Sequence, residues 1–387
     1  MADRSARSSQ GRILWLAVAD ARGHLMRAHI AKQVLAARGI TVDIVTTTQA
    51  GVAFLREFGT EATFLNDHFG VVYDGKQDID KWGTESKTLA YLLLPNRMLA
   101  DMRWFAKKAR NYNFVVCDSF LPSLLLQPVV PFMRDTKVVH VYGKYMREAV
   151  ASQFEGGRWA KQWDRWYSGQ INSLCDAAFA RIEHTFDVAD GGERHGQTWR
   201  LPPLIPRPER TRDEVRAALG VAPGQKLAVA YLNPNFNVPS IAAAVEHAFA
   251  GKDWYLHAVG EGYKGRPGWI SQDTRLGEVI MAADVLVSAP GMGALAQARL
   301  FHTPLLAVVT EQPEQKRNLQ FLEDADHPTE NVALADLATL HTRMAAGLAS
   351  LEQRIAAQGP RSSAFEAVEG RQKLWADAFA ELVEQSR

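Results

Sequence analysis

Short continuous apolar runs alternate along this chain with segments whose apolar residues recur at helical spacing. The run Ile13-Leu14-Trp15-Leu16-Ala17-Val18-Ala19 has the pattern of a strand buried on both faces. A turn, Asp20-Ala21-Arg22-Gly23-His24, follows. Met26, Ile30, Val34 and Leu35 then recur at helical spacing over residues 25–38, and Gly39 is placed to end that helix in a left-handed cap. A second apolar run covers 42–46. Such a βαβ unit predicts a parallel sheet. Runs at 114–117 and 137–141 predict further strands, 73–87 reads as a long polar loop near the site, and 144–199 as mostly helical with a turn at Gly191-Gly192.

Leu201-Pro202-Pro203-Leu204-Ile205-Pro206-Arg207-Pro208 can continue neither a helix nor a central strand, so it reads as a stiff linker. Beyond it the alternation restarts. Strands are predicted at 227–232, 254–259, 285–288 and 305–309, with helices at 240–250, 276–282, 293–300, 314–322, 335–358 and 363–384. The expected fold is α/β, with two Rossmann-like parallel-sheet lobes facing a cleft. A flexible tail covers 1–11, the first lobe 12–200, a linker 201–226 and the second lobe 227–362. The last segment, 363–387, is expected to pack back on the first lobe as a helix. In open α/β sheets ligands bind beyond the carboxyl ends of the strands, so chemistry is expected in the turns that follow them.

Composition narrows this further. The 387 residues are 47% hydrophobic and 22% charged, which suits two folded cores. Lys+Arg total 44 against 43 Asp+Glu, a net charge of +1, which argues against a dedicated nucleic-acid binder. Cys117 and Cys175 belong to no CxxC pair, and no cluster of acids suggests a divalent-ion site, so neither metal nor cofactor is expected. No apolar run is long enough to cross a bilayer, and Ile13–Ala19 is too short for a secretory core. The expected location is cytoplasmic; the oligomeric state is not legible. Trp159, Trp163 and Trp166 fall on one face of a predicted helix among Arg158, Lys161 and Arg165. That mix suits a membrane surface or a lipid-linked acceptor, but a stripe packed into the lobe is the preferred reading over peripheral membrane contact.

Two stretches carry candidate chemistry. In the second lobe, strand 285–288 runs into Ala289-Pro290-Gly291-Met292-Gly293-Ala294, a glycine-rich turn that opens a helix. Free N–H groups and the positive end of the helix dipole make this either a diphosphate seat or a tight turn that binds nothing. Downstream, Glu314 and Gln315 open a helix after a strand. They are either sugar-hydroxyl partners or first-turn residues of an exposed helix. In the first lobe, His24 follows the first strand. Its imidazole is either a general base or an N-terminal cap. Asp118, at the end of another strand of that sheet, is either its partner or the cap of the next turn.

These segments resemble the UDP-glycosyltransferase and MurG-like group of GT-B glycosyltransferases. Gly291, Gly293, Pro304, Glu314, Gln315 and Asn318 fall where that group places its Gly-x-Gly, Gly-x-Pro, acid-Gln and Asn, and Gly23-His24 matches its Gly-His. The resemblance implies diphosphate binding over Gly291, Met292, Gly293 and Ala294, with Gly23 alongside. It implies donor-sugar contacts from Glu314, Gln315 and Asn318, base contacts near Trp269 and Gln272, and a donor-facing turn at Asn233 and Asn235. It also implies that His24 deprotonates an acceptor hydroxyl while Asp118 orients the imidazole. The function so implied is inverting, metal-independent transfer of a sugar from a nucleotide diphosphate, UDP-sugar being the expected donor, to a hydroxyl on a small or lipid-linked acceptor. Four departures stand out: Ala294 replaces a Thr or Ser that bonds phosphate, Gln297 an acid that holds the ribose, Ala289 a His and His302 a Gly. They keep two alternatives open, a UDP-sugar epimerase of the same fold and a catalytically weak nucleotide-sugar-binding protein.

Overall fold

A computed structural model of the chain describes residues 11–19, 22–66, 95–145, 158–188, 191–251, 253–310, 313–324, 326–334, 337–356 and 364–387. The expected loop over 73–87 lies outside them. Among the described residues the chain divides into two units. One holds residues up to Leu204 together with Gly370–Arg387; the other runs from Ile205 to Glu369.

The first unit is built on an eight-stranded sheet: β1 Arg12–Ala17, β2 Thr41–Thr46, β3 Ala62–Phe64, β4 Phe114–Asp118, β5 Val138–Gly143, β6 Ala180–His184, β7 Glu193–His195 and β8 Thr198–Leu201. Their order is β3-β2-β1-β4-β5-β6-β8-β7, parallel except for the β7–β8 pair. The largely helical reading of 144–199 is therefore corrected. The helix Arg158–Asp176 gives way to three short strands whose mixed apolar and charged residues resemble a helical pattern over so few positions.

β1 alternates its side chains between two cores because successive residues of a strand face opposite ways. Ile13, Trp15 and Ala17 join Leu25, Ala28 and Leu35 of the helix Arg22–Ala36, while Leu14 and Leu16 join Met102 and Phe105 of the helix Pro95–Ala109. The C-terminal helix, Phe365–Gln385, closes the first of these cores from Gly370 onward. The Phe379 ring stacks on Trp15 at 5.3 Å, and Trp375 donates its indole N–H to Pro202 O at 2.8 Å.

The second unit has a six-stranded, wholly parallel sheet: β9 Lys226–Tyr231, β10 Trp254–Val259, β11 Trp269–Ile270, β12 Val285–Ser288, β13 Leu305–Val309 and β14 Thr329–Ala333. Its order is β11-β10-β9-β12-β13-β14. Two expectations are corrected. The linker assigned to 201–226 contains a helix, Arg212–Leu219. Thr211 and Glu214 form a capping box at its start, and Gly220 ends it at φ 75°. β14 falls between the helices predicted at 314–322 and 335–358, where no element was expected, because Thr329–Ala333 opens with three polar residues and lies at the sheet edge.

Asp284 ties the new helix to the sheet, accepting from Leu227 N at 2.7 Å and from Arg216 Nη1 at 3.0 Å. The two sheets share one arrangement. Read from the β3 or β11 edge, each runs third, second, first, then fourth, fifth, sixth. The direction of strand addition thus reverses between β1 and β4 and again between β9 and β12. Such reversals open a crevice at the carboxyl ends of the strands.

Phe379 is fully buried and contacts both Trp15 and Phe114. Phe379→Ala is expected to destabilise the protein by about 3–5 kcal/mol, the range for a large aromatic removed from a core. Denaturant titration checks this, and a loss below about 1 kcal/mol would show that the C-terminal helix is not an integral part of that core.

Candidate functional site

The reversal point of the first sheet gathers four polar side chains. β1 and β4 are in register with Ala17 opposite Asp118, so Asp118 faces the same side as Trp15. The chain leaves β4 through Ser119, whose φ of 140° lies where L-residues are strained. The helix beyond β1 starts at Arg22, so His24 sits in its first turn rather than ahead of it. Three residues on, Arg27 lies on the same helix face.

Asp118 is completely buried and each carboxylate oxygen accepts twice. Oδ1 accepts from His24 Nδ1 at 2.7 Å and Arg27 Nη2 at 2.8 Å; Oδ2 accepts from Arg27 Nε at 2.9 Å and Trp15 Nε1 at 3.3 Å. Burial alone would raise this carboxyl. The Arg27 charge and the hydrogen bonds from Arg27 and His24 outweigh it and hold the group well below the usual carboxylate range. An ionised carboxylate only accepts, so the His24 proton resides on Nδ1. Nε2 makes no hydrogen bond to a described residue.

Arg27 also reaches β6. Its Nη1 donates to His184 Nε2 at 2.6 Å, which places the His184 proton on Nδ1. That Nδ1 is buried and has no partner among the described residues. Burial, reinforced by the Arg27 charge, holds His184 far below its usual value and therefore neutral. Arg27 belongs to the Gly-His-x-x-Arg-Ala stretch of residues 23–28 that matches the resembled group but had no role assigned to it, and His184 and Trp15 were not singled out in the sequence. Arg27 was legible from its spacing to His24, and His184 from its place at the end of a strand. Trp15 looked like ordinary core.

At the reversal point of the second sheet, β9 leads into Asn233 and β12 into Gly291. The helix Met292–Leu300 starts directly after Gly291. A Cβ at Gly291 or Gly293 would meet nothing within 4 Å, and neither residue has a positive φ. Gly23, at the start of the first unit's helix, is the same. Neither packing nor backbone conformation requires glycine at these positions, although glycine inside a helix is destabilising by about 1 kcal/mol relative to alanine. Met292 and Ala294 flank the open turn, both half-buried. Asn318 is buried beneath it. Its Nδ2 donates to Pro290 O at 3.3 Å, and its Oδ1 has no partner among the described residues.

The other expected contacts divide. Gln297 donates to Gly293 O at 3.2 Å, while its Oε1 lies against Gly277, buried and unpaired. Gln272 is half-buried with its Nε2 unpaired. Asn233 Oδ1 accepts from Asn235 N at 3.0 Å, an Asx turn that occupies this carbonyl; Asn235 is half-buried beside it. Gln315 is turned inward, its Oε1 accepting from Thr310 N and Oγ1 at 3.2 and 3.0 Å. Glu314 lies in the first turn of the helix Pro313–Asp324, with its side chain outside the described residues.

Two readings are corrected. Trp269 is no open stacking platform: it is 6% exposed, its ring packs on Tyr263 at 4.5 Å and its N–H donates to Glu246 at 2.7 Å. Trp166 is not packed into the lobe but 58% exposed; the Trp159 and Trp163 side chains lie outside the described residues. Among the described residues no group of three His, Cys, Asp or Glu is placed to hold a metal ion, and no helix is long and apolar enough to cross a membrane.

No protein-family model matches the sequence, and no curated protein matches it. Solved structures do. The glycotransferase of kitacinnamycin matches with a TM-score of 0.60 at 16% identity, covering 97% of this chain and 99% of that one. The spinosyn forosaminyltransferase SpnP gives 0.58 at 14% identity over 98% and 100%. UGT89C1 of Arabidopsis thaliana, complexed with UDP-L-rhamnose, gives 0.59 at 14% over 98% and 100%. This chain has the GT-B glycosyltransferase fold. In GT-B terms the first unit is the N-terminal Rossmann-like domain and bears the titratable cluster; the second bears the open glycine turn. His302, where a Gly-x-Pro begins in the resembled group, adopts φ 52°, a conformation that glycine ordinarily occupies.

The buried histidines of this GT-B chain set its response to acid. His29, His184 and His327 are all held below their ordinary value of 6.5 chiefly by burial, His327 to about 4. Above 6.5 they are neutral folded and unfolded, and contribute no pH dependence. Below it the unfolded chain takes up protons that the folded chain refuses, so stability falls with acidification. The slope approaches about 1.4 kcal/mol per pH unit for each histidine. Asp118 adds a further loss below about 3.8, where only the unfolded carboxyl protonates. Urea midpoints between pH 7.5 and 4.5 are expected to fall steadily; a flat profile would mean that these imidazoles are charged in the folded protein.

Proposed function

We propose that this protein transfers a sugar from a nucleotide diphosphate, UDP-sugar by preference, to an acceptor hydroxyl with inversion at the anomeric carbon. The observation that carries this reading is His24, fixed through Nδ1 on the buried Asp118 at the reversal point of a GT-B sheet with Nε2 unbonded. Nε2 takes the hydroxyl proton as the oxygen attacks the anomeric carbon and the bond to the diphosphate breaks. The Asp118 carboxylate stabilises the resulting imidazolium. A single displacement of this kind inverts configuration.

The diphosphate leaves with its charge on the first N–H groups of the helix Met292–Leu300. Gly291 and Gly293 keep that turn open to a ligand, and no metal ion is assigned a part. Asn318 supports the turn from beneath, its Nδ2 donating to Pro290 O. UGT89C1, similar in fold, was solved with UDP and with UDP-L-rhamnose, which supports a nucleotide-sugar donor here.

Two variants separate the roles. His24→Ala is expected to lower transfer by roughly 100-fold or more, the usual contribution of a general base, while a UDP-sugar still raises the melting temperature as it does in the parent. Gly293→Val is expected to keep the parent's unliganded melting temperature, since its side chain enters open space, and to lose the UDP-dependent rise. Full transfer by His24→Ala would remove the base from the mechanism. An undiminished UDP shift in Gly293→Val would remove the phosphate seat.

A further inference from the structure

A histidine held by a single carboxylate would be drawn towards the protonated form, because nothing else balances the negative charge. Here something does. The titratable and charged groups about the His24 imidazole are Asp118 from β4, Arg27 from the same helix and, through Arg27, His184 from β6, while Trp15 of β1 donates to the carboxylate. The guanidinium is bidentate on Asp118, and its Nη2 lies 3.1 Å from His24 Nδ1. With the proton on Nδ1 this last contact sets donor against donor, so it attracts nothing. It is close enough for the guanidinium to oppose a second positive charge on the ring.

We propose that Arg27 is a positioning residue that neutralises Asp118, fixes its Oδ1 on His24 and thereby keeps His24 an uncharged base with its lone pair on Nε2. Asp118 and Arg27 sum to zero charge at rest, and His184 adds none. Uptake of the acceptor's proton at Nε2 takes the cluster to +1, which favours release of that proton to solvent once the acceptor oxygen has bonded to the sugar. His184 serves as the stop behind the guanidinium. Its Nε2 accepts from Nη1, the guanidinium nitrogen not engaged on Asp118, and so holds Arg27 against that carboxylate; only a neutral imidazole can accept there. This assignment rests on the reading of His24 as the base, but it is tested without turnover.

The test is nitrogen-15 NMR on histidine-labelled protein. In the parent at neutral pH, His24 and His184 are both expected as neutral rings carrying the proton on Nδ1. A charged His184, or one with its proton on Nε2, would overturn the proposal without any variant. In Arg27→Gln the uncompensated Asp118 charge is expected to raise the midpoint of the His24 titration by about one pH unit or more. Arg27→Lys, which keeps the charge but not the bidentate fork, is expected to stay near the parent midpoint and to lose the fixed state of His184. An unchanged midpoint in folded Arg27→Gln would sink the inference even if His24→Ala abolished transfer. The shift with full activity in His24→Ala would sink the functional reading alone.

Discussion

A carboxylate with no exposure to water must be given as many donors as it has lone pairs, and in the first unit that requirement falls on Asp118. Leaving an ion of this kind unpaired would be destabilising by several kcal/mol, so its neighbours are not interchangeable. The register that sets Ala17 opposite Asp118 brings Trp15 within reach. The helix after β1 must begin early enough for both His24 and Arg27 to face the sheet, and it begins at Arg22. β6 must end in a group that accepts from Arg27 without charge of its own. Residues 15–27, 118 and 184, far apart in sequence, thus converge on one carboxylate, the last of them through Arg27.

The second unit repeats the strand order and discards the ion chemistry. Its reversal point carries glycines, alanine and amides where the first carries arginine, aspartate and two histidines. In the proposed reaction this contrast has a physical logic. A proton acceptor needs a tuned and shielded lone pair. A leaving diphosphate needs many weak donors held in place beforehand, and a row of backbone N–H groups provides these with little reorganisation. Side chains over Gly291 or Gly293 would only shorten the approach.

Most of the fold was legible because both-face-buried strands and amphipathic helices leave plain patterns. The strands at 254–259, 285–288 and 305–309 coincide with their predicted bounds. What escaped were elements without that signature: β6 to β8, where strands of three to five residues mix Arg, Glu and His with apolar positions, and β14, a polar edge strand. The candidate site was legible in part. His24 and Asp118 stand at strand ends, which sequence marks, and their side chains meet at 2.7 Å. Trp269 was misread because an indole beside a candidate pocket reads the same whether it faces a ligand or, as here, Glu246 and Tyr263. Arg27 stands in the matched Gly-His-x-x-Arg-Ala stretch without a legible role, because a cation in a helix usually faces solvent. Only the burial of Asp118 shows why it does not.

The departures from the resembled group take on a different weight once the geometry is known. Gln297 lacks the charge of the acid expected there, yet an acid at that position would have to hold its charge against Gly277, where the Gln297 carbonyl already lies buried without a donor. A neutral amide is tolerated there far better than a carboxylate would be. Ala294 removes a hydroxyl, but the turn it borders exposes backbone donors that need no side chain to act on a phosphate. The substitutions thus remove charge from the second unit without removing its means of meeting an anion. Gln272, Gln297 and Asn318 each keep one buried amide atom without a partner among the described residues. In the proposed reaction those atoms lie out of a ligand's reach, so the anion would be met chiefly by the backbone donors of the turn, and charge has no part in how this unit would tell one donor from another.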